Sequence, residues 1–230
     1  VSAATGAAWI AATGTAELRV PPDRATAHVA LRATSAHGLQ AAAREVAPRE
    51  RAVLAALDAA GVPASLIATL RYDTGREQRH VKGQWVAGDY YVDHVLSVEV
   101  TDIARVGAIV AAARQAGATR IAGVHFWLAE DEAHRERAHA AAVAQAFARA
   151  RTLAQAAGVR LGRVVRLGTP EALAATLGAR AEEMGGHHYA MSSAGGPPGY
   201  ASEDDDDAEP LILPVPIVVG AVVHGAWTVD

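Results

Sequence analysis

The sequence predicts an α+β fold, and two observations carry that prediction. Ala-rich helical stretches end on a glycine and return as a short apolar strand in three places: LDAAGVPASLIATLRY (Leu57–Tyr72), ARQAGATRIAGVHF (Ala113–Phe126) and LAQAAGVRLGRVVRL (Leu153–Leu167). Around these units lie segments in which apolar and polar residues alternate, the period of a sheet with one buried face. Repeated returns from helix to strand specify mixed or antiparallel sheets packed against Ala-rich helices. At 230 residues and 51% hydrophobic, the chain can bury a full core as one large domain or two small ones.

The elements follow in order. Residues 9–20 and 23–35 read as strands joined at Pro21-Pro22, with Ala25, Ala27, Val29, Leu31 and Ala33 on one face of the second and His28 on its polar face. From Gly38 to Ala60, Leu39, Val46, Val53 and Leu57 recur at helical spacing and Gly61 supplies the stop. Pro48 interrupts this pattern, which predicts a kink or a fresh helix start. Residues 66–80 and 85–100 form a strand pair with a connection at Lys82-Gly83 and a bulge at Gly88; Val92, His94, Leu96, Val98 and Val100 share one face. Asp102 caps a helix to Ala116, closed by Gly117, and Ile121–Leu128 is a strand. A long helix runs from Glu130 to Ala157, with acidic residues at its start and arginines toward its end, as the helix dipole favours. After Gly158, Leu161–Leu167 returns as a strand and Pro170–Met184 as a short helix. The Gly/Pro/Asp-rich tract 185–210 reads as a mobile loop. The segment 211–229 returns to the core as a strand, with Trp9–Val20 as its expected neighbour. If the chain divides, the expected subdomains are about 9–101 with the C-terminal strand, and 102–184.

Composition removes several functions. A net charge of -4 without a long basic run argues against nucleic acid as a partner. The absence of cysteine removes disulfides, thiolate catalysis and Cys-ligated zinc. No apolar run approaches the roughly 18–20 residues that span a bilayer, so no transmembrane segment is expected. The start at Val1 fits a mature chain after signal-peptide removal, and a trimmed chain would look the same.

The sharp motifs of common enzymes are missing, including G-x-S-x-G, the Walker loop, G-x-G-x-x-G and H-E-x-x-H. The chain is therefore expected to be non-enzymatic, with no catalytic residues and no cofactor. His134 and His139 share a helix but stand roughly 140° apart around its axis, too far to hold one ion. His94, on an apolar strand face, and His125, beside Trp127, read as packed histidines. His187 and His188, with Asp204, Asp205, Asp206 and Asp207, are the candidate metal ligands, since imidazole suits copper, nickel or zinc and carboxylates suit calcium. The competing reading of that tract is a solvating charged loop. Tyr72, Trp85, Tyr90 and Tyr91 gather around the central hairpin, as packed cross-strand pairs or, if exposed, as a self-association patch.

An ordered series of segments resembles the SIMPL-domain family: GTAELRVPPDRATAHVAL, AAGVPASLIATLRY, SVEVTDIARVGAIVAAARQAGATRIAGVHF, the Ala/Arg-rich long helix, AAGVRLGRVVRL and the closing PIVVGAVVHGAWTVD. The resemblance covers about residues 10–229. It is carried by order and spacing rather than by one sharp motif. That family includes bacterial periplasmic proteins, among them a periplasmic immunogenic protein, and a mammalian member that partners a signalling kinase. The resemblance implies a single SIMPL-like α+β domain over 1–230, export to the periplasm or cell envelope, homo-oligomerisation and a role in stress tolerance without an established activity. The chain departs from the family pattern at Pro48 and in the acidic loop. The alternative function is a small-ligand or metal-binding module built on residues 185–210.

Overall fold

A computed structural model describes residues 8–81, 83–177 and 212–230. It contains seven strands and four α-helices among those residues. These are β1 (Trp9–Val20), β2 (Arg24–Ser35), α1 (Leu39–Ala59), β3 (Ile67–Val81), β4 (Gln84–Val100), α2 (Val106–Gln115), β5 (Arg120–Trp127), α3 (Asp131–Ala156), β6 (Leu161–Gly168), α4 (Pro170–Leu177) and β7 (Ile217–Val229). The α+β reading holds, with antiparallel pairing between all neighbouring strands. The 185–210 tract, the end of the expected 170–184 helix and Lys82 lie outside the described residues.

The chain separates into two compact units. Among the described residues, one comprises 8–20, 130–177 and 217–230, and the other 21–129 with 212–216. The chain passes between the units at 20/21, 129/130 and 216/217, and not near the expected 101/102. The physical reason is pairing. β1 bonds along its whole length to β7, as the closing strand's position suggested, and so leaves β2 for a different sheet. The helix α2, on the far side of residue 101, packs on α1 and β2.

In the second unit a four-stranded sheet of order β3-β4-β2-β5 carries α1 and α2 on one face. Alternation puts Ala25, Ala27, Val29 and Leu31 of β2 and Val92, Leu96 and Val98 of β4 into that layer. They meet Ala42, Val46, Val53 and Leu57 of α1 and Val106, Ile109 and Val110 of α2. Pro48 lies within α1, and no new helix starts there. Its missing N–H frees the Arg44 carbonyl, and both residues are on the exposed side, where water can satisfy that group.

Three helices end in one way. Val62 N–H donates to Leu57 O, Ala118 N–H to Ala113 O and Val159 N–H to Ala154 O, each across a glycine with positive φ: 76° at Gly61, 103° at Gly117 and 71° at Gly158. This six-to-one bond satisfies an orphan carbonyl and reverses the chain, and only glycine takes that conformation without strain.

In the first unit α3 covers the sheet of order β1-β7-β6, against β1 and β7. Ala138, Ala142, Ala146, Ala150 and Ala154 are all buried, a stripe at four-residue spacing with almost no height. Trp227 of β7 lies against Ala146 and Ala150. Gly14 of β1 sits so close to the helix that an added Cβ would collide with the backbone of Ala142 and Ala146. The Gly14→Val variant is expected to lower the unfolding free energy of this unit by about 3 kcal/mol through overpacking, read by urea denaturation followed on tryptophan fluorescence.

Candidate functional site

The hairpin β3–β4 is longer than the sheet that holds it. β2 accompanies β4 only from Val100 to Tyr90, so residues 77–81 and 84–89 form a two-stranded ribbon beyond the third strand. The two strands meet at a two-residue connection in which Gly83 takes φ 85°. The bulge expected at Gly88 is present: Gly88 and Asp89 together face Glu77, between the pairs Arg76–Tyr90 and Gln78–Ala87.

The four hairpin aromatics do not form one surface. Tyr72 meets the His94 ring edge-on at 5.3 Å, Trp85 stacks at a tilt on His80 at 5.1 Å, Arg76 covers Tyr90 at 5.0 Å and Arg32 covers Tyr91 at 4.8 Å. Tyr91 is on the helix-free face, whereas Tyr90 shares the other face with Val92 and His94 by alternation. Trp85, near the ribbon tip, is 70% exposed.

His94 is buried, and the structure explains it by contacts the sequence could not supply. Thr69 Oγ1 and His94 Nε2 are 2.9 Å apart, and Glu50 Oε1 of α1 stands 3.3 Å from Nδ1. Glu50 makes no hydrogen bond there, and Nδ1 has none among the described residues. These are a hydroxyl, an imidazole and a carboxylate in series, the order of a nucleophilic triad. With the ring buried and its edge against Tyr72, the Thr69–His94 contact joins β3 to β4, and Glu50 of α1 stands beside it without a hydrogen bond. His125 lies opposite Thr26, and Trp127 of the same strand donates to Thr26 Oγ1 at 3.1 Å. On α3, His134 is half-buried and His139 exposed. No group of three His, Asp or Glu among the described residues is placed to hold a metal ion. His187, His188 and Asp204 to Asp207 lie outside those residues.

The sheet face opposite α1 and α2, free of helices among the described residues, carries the densest polar chemistry. Asp93, only 8% exposed, accepts from Arg71 at 3.0 Å and lies 3.8 Å from Arg32. Arg32 also donates to Glu77 at 2.9 Å, and Arg79 reaches Glu77 at 3.3 Å and Asp89 at 3.5 Å. Tyr91 donates its hydroxyl to Asp73 at 3.0 Å, and its ring fits because Gly75 has no Cβ to meet it. The network stitches the ribbon base to β2. No motif announces it, because its members come from three strands; the only sequence signal is the odd-numbered charge on β3 and β4.

The match to known proteins fits this architecture of two antiparallel sheets, each faced by helices. The family model for SIMPL, described as a protein of unknown function (DUF541), matches residues 10–227. The chain therefore belongs to the SIMPL family. No curated protein matches it significantly.

Three outcomes follow from the network. Asp93→Asn leaves Arg71 and Arg32 facing a neutral group and is expected to cost about 2 kcal/mol in chemical denaturation. Glu77 is held below the ordinary glutamate range, first by its hydrogen bond from Arg32 and then by that from Arg79. A depressed folded-state pKa gives stability that is present above the unfolded value and lost as pH falls through the folded one. The ribbon base is thus expected to loosen in acid, below about pH 4, seen as faster amide exchange in residues 76–89 while the helices remain protected. Tyr91 shifts the other way, raised by its hydrogen bond to Asp73, so its contribution persists through neutral pH and is lost only in strong alkali.

Proposed function

We propose that this SIMPL-domain protein is non-enzymatic, resides in the periplasm or cell envelope of a bacterium, and works by assembling with itself into a homo-oligomer that contributes to stress tolerance. The observation that carries the reading is the projecting ribbon. Two strands without a third are marginal alone in water, and this pair extends past its sheet with Trp85 and Val86 exposed near its tip. A second copy would supply the missing contacts.

The sheet edges support the same reading. At β1 the free edge is occupied: Gln145 accepts from Thr15 N–H at 2.7 Å and Arg149 donates to Thr13 O at 2.7 Å, both from α3. At β6 no such cover exists among the described residues, and Val164, Val165 and Leu167 are exposed on the outer strand. Exposed apolar edge strands are templates for pairing with another chain.

Light scattering on the purified protein tests the assembly. A mass of several subunits across micromolar concentrations is expected, and Trp85→Glu combined with Val86→Glu should reduce it while leaving the circular dichroism unchanged. A strict monomer removes the proposal. Fractionation of cells expressing the gene from its own start codon tests the location, and recovery in the cytoplasm alone overturns it.

A further inference from the structure

One rung of the four-stranded sheet runs Arg71, Val95, Ala30, Arg120 from edge to edge, on the face away from the helices. Two arginines on the outer strands thus flank a two-residue apolar floor, with Val95 and Ala30 both nearly sealed from solvent. Their Cα atoms are three strand spacings apart, about 14 Å, so both long side chains can lean over the floor.

Two bulges deepen this rung into a cleft. On β3 the pairing skips Leu70, between Thr69–Leu96 and Arg71–Val95; on β5 it skips Ala122, between Val29–Ile121 and His28–Gly123. Both extra residues line the same open cleft of about 400 Å³, together with His28, Arg71, Val95 and Arg120. That volume lies within the range of small-molecule sites, about 300–1,000 Å³. Bulges re-aim side chains and recur beside binding sites. Here the bulges on the two edge strands deliver Leu70 and Ala122 to one concavity.

Charge decides the ligand class. Arg71 is partly neutralised by Asp93, which also fixes where its guanidinium points. Arg120 is exposed and has no carboxylate within ion-pair distance among the described residues. His28, one rung along, adds a donor at the cleft's end. Cationic groups at the rim and Leu70, Val95 and Ala122 within suit an anion with an apolar body.

We propose that this cleft binds a small monocarboxylate, with Arg120 as the principal anion contact, Arg71 as the second and the apolar part lying against the exposed Leu70 and Ala122, above the Val95 floor. The inference is independent of self-assembly, since every lining residue comes from one sheet.

Isothermal titration of the full chain with benzoate and octanoate tests it, with benzamide as the uncharged control and inorganic phosphate as the anion without an apolar body. Saturable binding of a carboxylate is expected with a Kd of about 1 mM or tighter, and benzamide and phosphate at least about tenfold weaker. Arg120→Gln should weaken the carboxylate about tenfold or more without moving the thermal midpoint, because the side chain is exposed. Ala122→Glu, which sets a carboxylate in the cleft, should weaken it as well. No saturable heat with either carboxylate, equal affinity for phosphate, or undiminished binding by folded Arg120→Gln overturns the proposal. Light scattering on the same samples reports the subunit number separately.

Discussion

The closeness of helix to sheet at the α3 stripe is the constraint on which the first unit depends. Five buried alanines present almost no side-chain height, and Gly14 answers them with none, so β1 lies nearly on the helix backbone. Only at that distance do Gln145 and Arg149 reach over to satisfy the outer edge of β1. Only there does Trp227 find a flat bed against Ala146 and Ala150, with Gly225 leaving room for its ring. The second unit uses the same economy more loosely: Ala25 and Ala27 of β2 lie in one buried cluster with Ala42 of α1 and Ala113 of α2. A core of small residues buries little area per residue and gains from dense contact instead, so added volume is more damaging there than in a core of leucines.

Where the core is this plain, distinctive chemistry collects on the face the helices leave free. Asp93 organises it. A carboxylate with so little exposure needs compensation, and it receives Arg71 from one side and Arg32 from the other. That demand fixes both guanidiniums. Arg32 can then hold Glu77 and lie over Tyr91, while Arg71 is held at the rim of the cleft. One buried charge thereby orders both the base of the ribbon and one wall of a concavity.

Much of this fold is legible in the sequence because its signals are local. The alternation of Ala25 to Ala33 marks the buried face of β2, and Gly61, Gly117 and Gly158 mark helix ends whose hydrogen bonds close within six residues. Pro48 misleads only in part: a lost helical bond is costly when buried, and here it faces solvent. What depends on partners is not legible. Leu70 and Ala122 look like ordinary strand residues until the strands beside them are known, since a bulge belongs to a pair. The Thr69, His94 and Glu50 series joins three elements, and nothing in any one of them points to the others. The hairpin aromatics are near in sequence, whereas alternation and distance along the ribbon give each its own neighbour.

The pairing of β1 with β7 joins residues almost the whole chain apart, from Trp9 opposite Thr228 to Val20 opposite Ile217. Every strand pairing of the other unit is completed between residues 24 and 127. A growing chain can therefore finish that sheet before β7 is made, while β1 waits for its partner strand. During that wait the apolar face of β1 has only α3 to cover it. Such a topology favours an order of assembly, with a late window in which β1 is still without β7 beside it.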